Sequence, residues 1–325
     1  MKTMPLQKRN ISSSRLVYGT TGLGGSNNYD PLTADDILKA ERAIDAALET
    51  GITMFDHADI YTGGKAEAVF GIVLKRRPSV RSAIVLQSKC GIRFREGDVP
   101  QRYDFSKEHI LRSVDGSLQR LETDYLDILL LHRPDPLMDP DEIAEAFERL
   151  KQSGKVRHFG VSNMNAAQMS LLQASLPDPL VANQLELNLL RTDWLDQGVL
   201  VNQAAGAAVH FADGVLEHCR LRDVQIQAWS PLAKGAFTGR TLDAPTASVE
   251  ETRELVRRMA AERETSEEAI VLGWLMRHPA TIQPVIGSAN PERIRRSRDA
   301  IRVSETMTRE EWYRLYVSAR GNPVT

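Results

Sequence analysis

Eight short runs rich in β-branched residues and leucine are spread along the chain, and stretches of helical periodicity separate them. The runs are RLVYG (15–19), ITMFD (52–56), AIVLQSK (83–89), LDILLLH (126–132), VRHFGVS (156–162), VANQLELN (181–188), VQIQAWS (224–230) and IQPVIG (282–287). Between them, apolar residues recur three and four positions apart, as at Ile110, Val114, Leu118 and Leu121. This alternation is typical of βα units around a parallel sheet.

The number of runs favours closure of the sheet. Eight parallel strands enclose an interior just wide enough for side chains to fill, so the pattern predicts a single (β/α)8 TIM barrel over residues 1–325. We expect a small hairpin before the first strand, plugging the lower end of the barrel, and an extra helix that begins near Thr308. An open doubly wound sheet is the alternative. The glycine-rich turn Gly19 to Gly25 opens no helical pattern, so it is a weak dinucleotide-binding fingerprint.

Composition narrows the classes of partner. Lys and Arg number 41 against 43 Asp and Glu, so the charge balance gives no reason to expect nucleic acid or an anionic membrane. The N-terminal segment lacks an apolar signal region, and no apolar run approaches the roughly 20 residues that span a bilayer. Cys90 and Cys219 are too few for a disulfide scaffold. We expect a soluble, cytoplasmic protein that binds a small molecule; the sequence leaves its oligomeric state open.

Four residues with proton-transfer chemistry end a predicted strand or follow one: Asp56, Tyr61, Lys89 and His132. In a parallel barrel these strand ends meet at one face. A tyrosine hydroxyl, with a pKa of about 10, is a weak acid near neutrality, and a neighbouring ammonium lowers that pKa. A carboxylate would hold the ammonium in place, while a histidine can orient a carbonyl group. The four residues together predict a site that protonates a carbonyl oxygen, with Tyr61 as the acid.

Each of these residues also has a simpler interpretation. Asp56 and Lys89 could form a purely structural ion pair, and a tyrosine or histidine after a strand is often a packing residue. Their joint placement at strand ends favours a catalytic role. His57 and Asp59 form an HxD pair, but strand alternation turns His57 away from the side that Asp56 faces, so we predict no metal site.

The charge-rich loop beyond Lys89 is a candidate border of the substrate site. Loops on this face of a barrel shape ligand sites, although a charged loop is usually just solvated. Within the loop, Arg93 is the residue that we expect to meet an anionic group of a substrate.

Seven motifs, taken in order, resemble those of the aldo-keto reductases along nearly the whole chain. They are DHADIYTGG, SKCG, LLLHRPD, GKVRHFGVSN, NQLELN, QAWSPLAKG and PVIGSANPERI, and the first three contain the four residues above. Within that family, the segments DHADIY, HRPDPLMD and SGKVRHFGVSN are most similar to those of the bacterial YdhF-type oxidoreductases. The resemblance implies NADP(H) bound across the C-terminal face of the barrel, with hydride transfer to an aldehyde or ketone. The alternative is a catalytically weak NADP(H)-sensing regulatory or interaction protein on the same fold.

The resemblance also implies contacts at the nicotinamide end of the cofactor. Ser162, Asn163 and Gln184 match residues that hold the carboxamide, and Trp229 matches the aromatic residue on which the ring stacks. The loop beneath the nicotinamide ribose corresponds to Gly19, Thr20 and Thr21.

At the phosphate end, the matching positions predict a preference for NADPH over NADH. Ser288 and Arg293 match the pair that recognises the 2′-phosphate, and a guanidinium fork suits a phosphate. Gly287 lies where many relatives have a phosphate-binding lysine, so NAD(H) remains a weaker alternative. The residues that match the pyrophosphate loop are Ser230, Leu232 and Lys234.

Overall fold

The computed structural model describes residues 3–28 and 30–324, and at its centre is a closed barrel of eight parallel strands. Each strand pairs with the preceding barrel strand in the chain, and the last pairs with the first. The barrel strands are β1 (Val17–Gly19), β2 (Met54–Asp56), β3 (Val85–Cys90), β6 (Leu126–Leu131), β7 (Val156–Ser162), β8 (Ala182–Glu186), β9 (Gln225–Trp229) and β10 (Gln283–Ile286). The predicted (β/α)8 barrel is confirmed, and the open sheet is not formed.

Two further strands, β4 (Ile92–Arg93) and β5 (Arg102–Tyr103), pair antiparallel in the loop that follows β3. They turn part of the charge-rich loop into a short ribbon.

Helices surround the barrel and connect its strands. Several begin with a side chain that accepts a hydrogen bond from the first turn, as Thr33 and Asn165 do in capping boxes. None of the described helices is long and apolar enough to cross a membrane. The helices are α1 (Pro5–Lys8), α2 (Ala34–Glu49), α3 (Lys65–Arg76), α4 (Pro78–Ala83), α5 (Lys107–Leu121), α6 (Pro140–Gln152), α7 (Ala166–Ser175), α8 (Asp193–Val199), α9 (Val215–Leu221), α10 (Ala247–Glu262), α11 (Glu267–Arg277), α12 (Pro291–Arg296), α13 (Ala300–Thr306) and α14 (Arg309–Arg320).

The hairpin predicted before the first strand is wrong for the described residues. That segment forms the single helical turn α1, because Pro5 at the first helical position has a φ suited to a helix and lacks the N–H that a strand ladder uses. Leu6 on this turn is fully buried among Val17, Met54 and Ile128, which face the barrel interior. A helical turn therefore fills the place expected for the hairpin.

The extra C-terminal helix is present and begins where the sequence predicts. Thr308 caps α14 in a capping box with Glu311. The indole of Trp312 stacks on that of Trp274 at 5.4 Å, and each indole N–H donates to the backbone carbonyl of the other tryptophan. Trp194 packs edge-on against Trp274 at 5.6 Å. These contacts fix α14 on the flank of the barrel.

Helices α3 and α5 approach each other closely at Gly71. A Cβ atom at this position would lie 2.1 Å from the carbonyl oxygen of Arg120. Since overpacking costs about 1–3 kcal/mol, we expect Gly71→Ala to lower the free energy of unfolding by that amount in urea titrations. Gly198→Ala is the control, because a Cβ there meets nothing within 4 Å. Equal losses in the two variants would show that the close contact is not the cause.

Candidate active site

The ends of β2, β3 and β6 bring Asp56, Lys89, Tyr61 and His132 together. The Nζ atom of Lys89 lies 2.8 Å from Asp56 Oδ2, 2.9 Å from Tyr61 Oη and 2.7 Å from the carbonyl oxygen of His57. An ammonium has three N–H bonds, and these three acceptors use them all. The side chains of Lys89 and Asp56 are 0% and 2% exposed. The lysine is therefore a fully buried cation that donates to the tyrosine hydroxyl.

The loop after Tyr61 holds the phenol beside His132. Thr62, Gly63 and Gly64 adopt positive φ values of 48°, 66° and 88°, and the Thr62 hydroxyl donates to the Leu23 carbonyl at 2.9 Å. The rings of Tyr61 and His132 meet edge to face with their centroids 6.0 Å apart. Backbone strain of this kind costs about 1–3 kcal/mol for a non-glycine residue and is concentrated at functional sites.

Burial decides the protonation states of these groups. It raises the pKa of Tyr61, and although Lys89 lowers that pKa, the net direction is upward. The ammonium acts on the tyrosine pKa in the direction expected from the sequence, but burial outweighs it. Burial alone would lower the pKa of Lys89, but Asp56 and Tyr61 outweigh it, so the net pKa is raised and the lysine stays charged. Burial, followed by Lys89 and Arg133, lowers the pKa of His132 to about 2, which makes the imidazole neutral.

His57 lies on the far side of β2 from this cluster, as strand alternation predicted. Its ring packs against Phe70 with centroids 4.5 Å apart, and its Nδ1 lies 2.9 Å from the hydroxyl of Thr20. That hydroxyl also lies 3.1 Å from the carbonyl oxygen of Asp56, so the Thr20 side chain is held behind the site. Across residues 3–28 and 30–324, no three His, Cys, Asp or Glu residues group in a way that could hold a metal ion.

A cavity of about 520 Å³ opens beside the four residues, a size typical of small-molecule and cofactor sites. Thr20 and Lys89, by contrast with the other predicted site residues, lie behind its wall. The predicted residues that line the cavity are Gly19, Thr21, Asp56, Tyr61, His132, Ser162, Asn163, Gln184, Trp229, Ser230, Leu232, Lys234, Gly287, Ser288 and Arg293.

One wall of the cavity is a hydrogen-bonded set of polar side chains around Asn163. The Trp229 indole donates to Asn163 Oδ1 at 3.1 Å, and Asn163 Nδ2 donates to Ser162 Oγ at 2.8 Å. Ser162 in turn donates to the backbone carbonyl of Gln184 at 2.8 Å. Asn163 has a φ of 58°, a left-handed conformation that asparagine tolerates. The wall thus offers an aromatic face next to fixed amide and hydroxyl groups.

The other end of the cavity is basic and contains an unusual backbone turn. Ser230, Ala233, Lys234 and Gly235 have φ values of 51°, 46°, 55° and 88°. Lys234 and Arg293 line this end of the cavity and carry its positive charge. No carboxylate of the described residues pairs with Arg293, whose Nη2 donates to the Thr238 carbonyl at 3.4 Å. An aromatic and amide-lined wall joined to a basic end fits a nicotinamide dinucleotide.

Two charged residues that line the cavity were missed by the sequence analysis, Arg133 and Glu268. The Arg133 guanidinium lies 5.6 Å from the centroid of the Trp229 ring. Glu268 is 3% exposed, and its Oε1 lies 3.8 Å from Arg296 Nη1 without a hydrogen-bond partner in the described part of the chain. Arg133 could have been predicted as a cavity residue, because it directly follows His132 in the sequence. Glu268 stands at the start of an apolar helical run, EAIVLGWL, where a charge is conspicuous.

Arg93 does not line this cavity. From its place in β4 it pairs instead with Asp104 and Glu96, each at 2.9 Å. Those ion pairs satisfy its charge within the loop, so the expected contact with a substrate anion is not supported. The arginines that line the cavity are Arg133 and Arg293.

The model of the aldo/keto reductase family matches residues 15–316. The chain belongs to the aldo/keto reductase family. This aldo-keto reductase is 38% identical to 6-dehydroglucose reductase of Agrobacterium fabrum, over 97% of each chain. It is 40% identical to oxidoreductase YdhF of Escherichia coli, over 86% of its own length and 87% of YdhF.

Solved structures show the same fold. The aldo-keto reductase superimposes on the glycerol dehydrogenase of Gluconobacter oxydans with a TM-score of 0.75, over 96% and 94% of the two chains, at 22% sequence identity. The predicted family and its YdhF-like character are confirmed. As a member of the family, the protein is an oxidoreductase that acts on carbonyl groups and binds a nicotinamide cofactor.

Proposed function

We propose that this protein reduces aldehydes or ketones to alcohols with NADPH, and that Tyr61 is the general acid. The observation that carries the proposal is the hydrogen bond from Lys89 Nζ to the hydroxyl oxygen of Tyr61. The lysine donates to the oxygen of Tyr61, which leaves the O–H proton of Tyr61 free to be directed into the cavity. When bound, NADPH supplies a hydride to the carbonyl carbon.

Each of the four residues has a separate role in the protonation of the carbonyl oxygen. His132 is neutral, and its buried Nδ1 has no hydrogen-bond partner among the described residues. We therefore assign its proton to Nε2, from which it donates to the carbonyl oxygen. Tyr61 transfers its proton to that oxygen as negative charge develops there. Lys89 then stabilises the phenolate that remains, and Asp56 holds the lysine in place. These interactions act in a buried site, where charge–dipole stabilisation is strongest.

The cavity residues support NADPH as the preferred cofactor, with NADH as a weaker one. Ser162, Asn163 and Gln184 would hold the carboxamide, and the Trp229 ring would stack on the nicotinamide. Arg293 forms no ion pair with a carboxylate of the described residues and would pair with the 2′-phosphate beside Ser288. Gly19 and Thr21 would lie beneath the nicotinamide ribose, and Ser230, Leu232 and Lys234 would contact the pyrophosphate. Gly287, beside Ser288, would lie near the 2′-phosphate.

Arg293→Ala is expected to weaken NADPH binding by about 10- to 100-fold and to leave NADH binding nearly unchanged, because a charge-assisted contact to the 2′-phosphate is lost. Fluorescence titration with each cofactor measures the two Kd values. Arg295→Ala is the matched control on helix α12, since that side chain pairs with Glu49 and Glu292. Equal weakening of both cofactors would mean that Arg293 does not recognise the phosphate.

The reaction is tested by following NADPH oxidation with a panel of aldehydes and ketones. The panel includes 4-nitrobenzaldehyde, methylglyoxal, pyridoxal and 6-dehydroglucose, the last taken from the name of the Agrobacterium relative. Turnover establishes the reductase and ranks its substrates. Tight NADPH binding without turnover on any carbonyl would favour the sensing or interaction protein instead.

We also propose that the protein works in the cytoplasm with a small carbonyl compound as its partner. Both cysteines are buried and unpaired, which suits a reducing compartment. Burial raises the pKa of the Cys90 thiol well above its ordinary value, so this neighbour of Lys89 stays protonated and unreactive.

A further inference from the structure

Four glutamine side chains cross the barrel interior, from its N-terminal end to the cavity: Gln283, Gln227, Gln87 and Gln184. Their exposure is 2% or less. Interiors of such barrels are usually packed with branched apolar residues, and a buried amide is costly unless its hydrogen bonds are made. All four amides are linked by hydrogen bonds, so this polar layer is fully connected.

A backbone carbonyl sets the direction of every amide in this chain of glutamines. The carbonyl oxygen of Ser14 can only accept, and Gln283 Nε2 donates to it at 2.6 Å. Gln283 therefore presents its Oε1 to Gln227, whose Nε2 donates at 3.1 Å. That leaves Gln227 Oε1 as the acceptor for the amino groups of the other two glutamines. Amide orientation is assigned from such networks, and here an unambiguous acceptor anchors it.

At its upper end the chain reaches two groups of the site. Gln87 Nε2 donates to Gln227 Oε1 at 2.9 Å and to Asp56 Oδ1 at 2.6 Å. Since Lys89 donates to the other oxygen of Asp56 at 2.8 Å, the carboxylate is held from both sides. Gln184 Nε2 donates to Gln227 Oε1 at 3.0 Å. The side-chain oxygen of Gln184, Oε1, is then left for the cavity. It can accept a hydrogen bond from the amino group of a primary amide.

We propose that Gln87 and Gln227 are positioning residues that act through Asp56 and Gln184. Gln87 fixes the carboxylate that holds Lys89 against Tyr61. Gln227 fixes the amide of Gln184 so that an acceptor faces the carboxamide amino group of a nicotinamide ring. This inference rests on the proposed function, because it takes the cavity to be the site of a carbonyl substrate and a nicotinamide cofactor.

Substitution by methionine, which has a similar shape and no amide, separates the two roles. Gln87→Met is expected to lower kcat about 10- to 100-fold with NADPH affinity unchanged, because one of the two donors to Asp56 is lost. Gln227→Met is expected to lower kcat and also to weaken NADPH binding about tenfold, since the Gln184 side chain is then free to rotate. Fluorescence titration gives the affinity and steady-state kinetics give kcat.

Gln225→Met is the matched control. Gln225 lies on the same strand, is fully buried, and donates to the backbone carbonyls of Ile226 and Thr281, outside the glutamine chain. We expect it to lose stability, with kcat and NADPH affinity unchanged. Where Gln87→Met does not fold, Gln87→Asn keeps an amide that is one methylene too short to reach Asp56, and the same loss of kcat is expected.

The outcomes distinguish this inference from the proposed function. If Gln87→Met and Gln227→Met match Gln225→Met in both kcat and NADPH affinity, the positioning roles are refuted while the reductase stands. If the wild type binds NADPH but reduces no carbonyl, the proposed function fails, and the weaker NADPH binding of Gln227→Met still supports the role of the chain. Failure of the wild type to bind NADPH would overturn both.

Discussion

Tyr61→Phe is expected to lower carbonyl reduction by about 10²- to 10⁴-fold, the range that a general acid contributes, while NADPH affinity stays the same. The hydroxyl is the only group removed, and it acts mainly in the transition state. Its oxygen accepts from Lys89 at 2.9 Å, and burial keeps it protonated near neutral pH. Steady-state kinetics on the best substrate of the panel and fluorescence titration with NADPH give the two quantities.

Tyr313→Phe on helix α14 is the control for this substitution, because Tyr313 is 37% exposed and does not line the cavity. It should leave both quantities unchanged. A loss of NADPH binding in Tyr61→Phe as large as the loss of kcat would contradict the role of Tyr61 as acid, since it would point to a general collapse of the site.

Lys89→Met is expected to be the most destabilising of the proposed substitutions, lowering the free energy of unfolding by about 3–5 kcal/mol in addition to abolishing turnover. The substitution leaves the carboxylate of Asp56 buried without its cation. Urea unfolding of the wild type and the variant measures the loss.

The double variant Asp56→Asn, Lys89→Met tests this explanation. It removes both charges, so much of the stability should return while turnover remains absent. If the double variant is as unstable as Lys89→Met, the loss comes from packing and not from an unpaired carboxylate.

The pH dependence of the pair follows from the direction of the lysine shift. The pKa of Lys89 is raised above its ordinary value of 10.5 in the folded protein. Its contribution to stability is therefore complete below that ordinary value and is lost only as pH rises through the folded pKa. The lysine therefore adds no pH dependence to the stability of the wild type across the neutral range, which urea unfolding of the wild type at several pH values measures.

The strands and the meeting of the four residues follow directly from sequence patterns. Each of Asp56, Lys89 and His132 ends a run whose apolar content defines a buried strand, and parallel strands place those ends at one face. The motifs and the family resemblance then predicted most, but not all, of the residues that line the cavity. These features depend on local pattern and on a closed topology, both of which a sequence displays.

Other features depend on contacts between distant residues and could not be predicted. Arg93 and Arg133 both follow strand ends, but the pairing of Arg93 with Asp104 depends on how the loop folds. The sign of the Tyr61 pKa shift depends on the extent of burial. Glutamines inside four strand runs were visible, yet Gln87 and Gln227 are 140 positions apart, and only the closed barrel brings their amides into contact.

The distribution of the four tryptophans gives the protein two separate optical reporters. Trp229 alone lines the cavity, so its emission responds to a ligand that stacks there. The other three, Trp194, Trp274 and Trp312, lie together on the flank, where the last two join helix α14 to the barrel. In a Trp229→Phe variant, the remaining tryptophan fluorescence therefore reports on the docking of the C-terminal helix. It does not report on direct stacking of a ligand in the cavity.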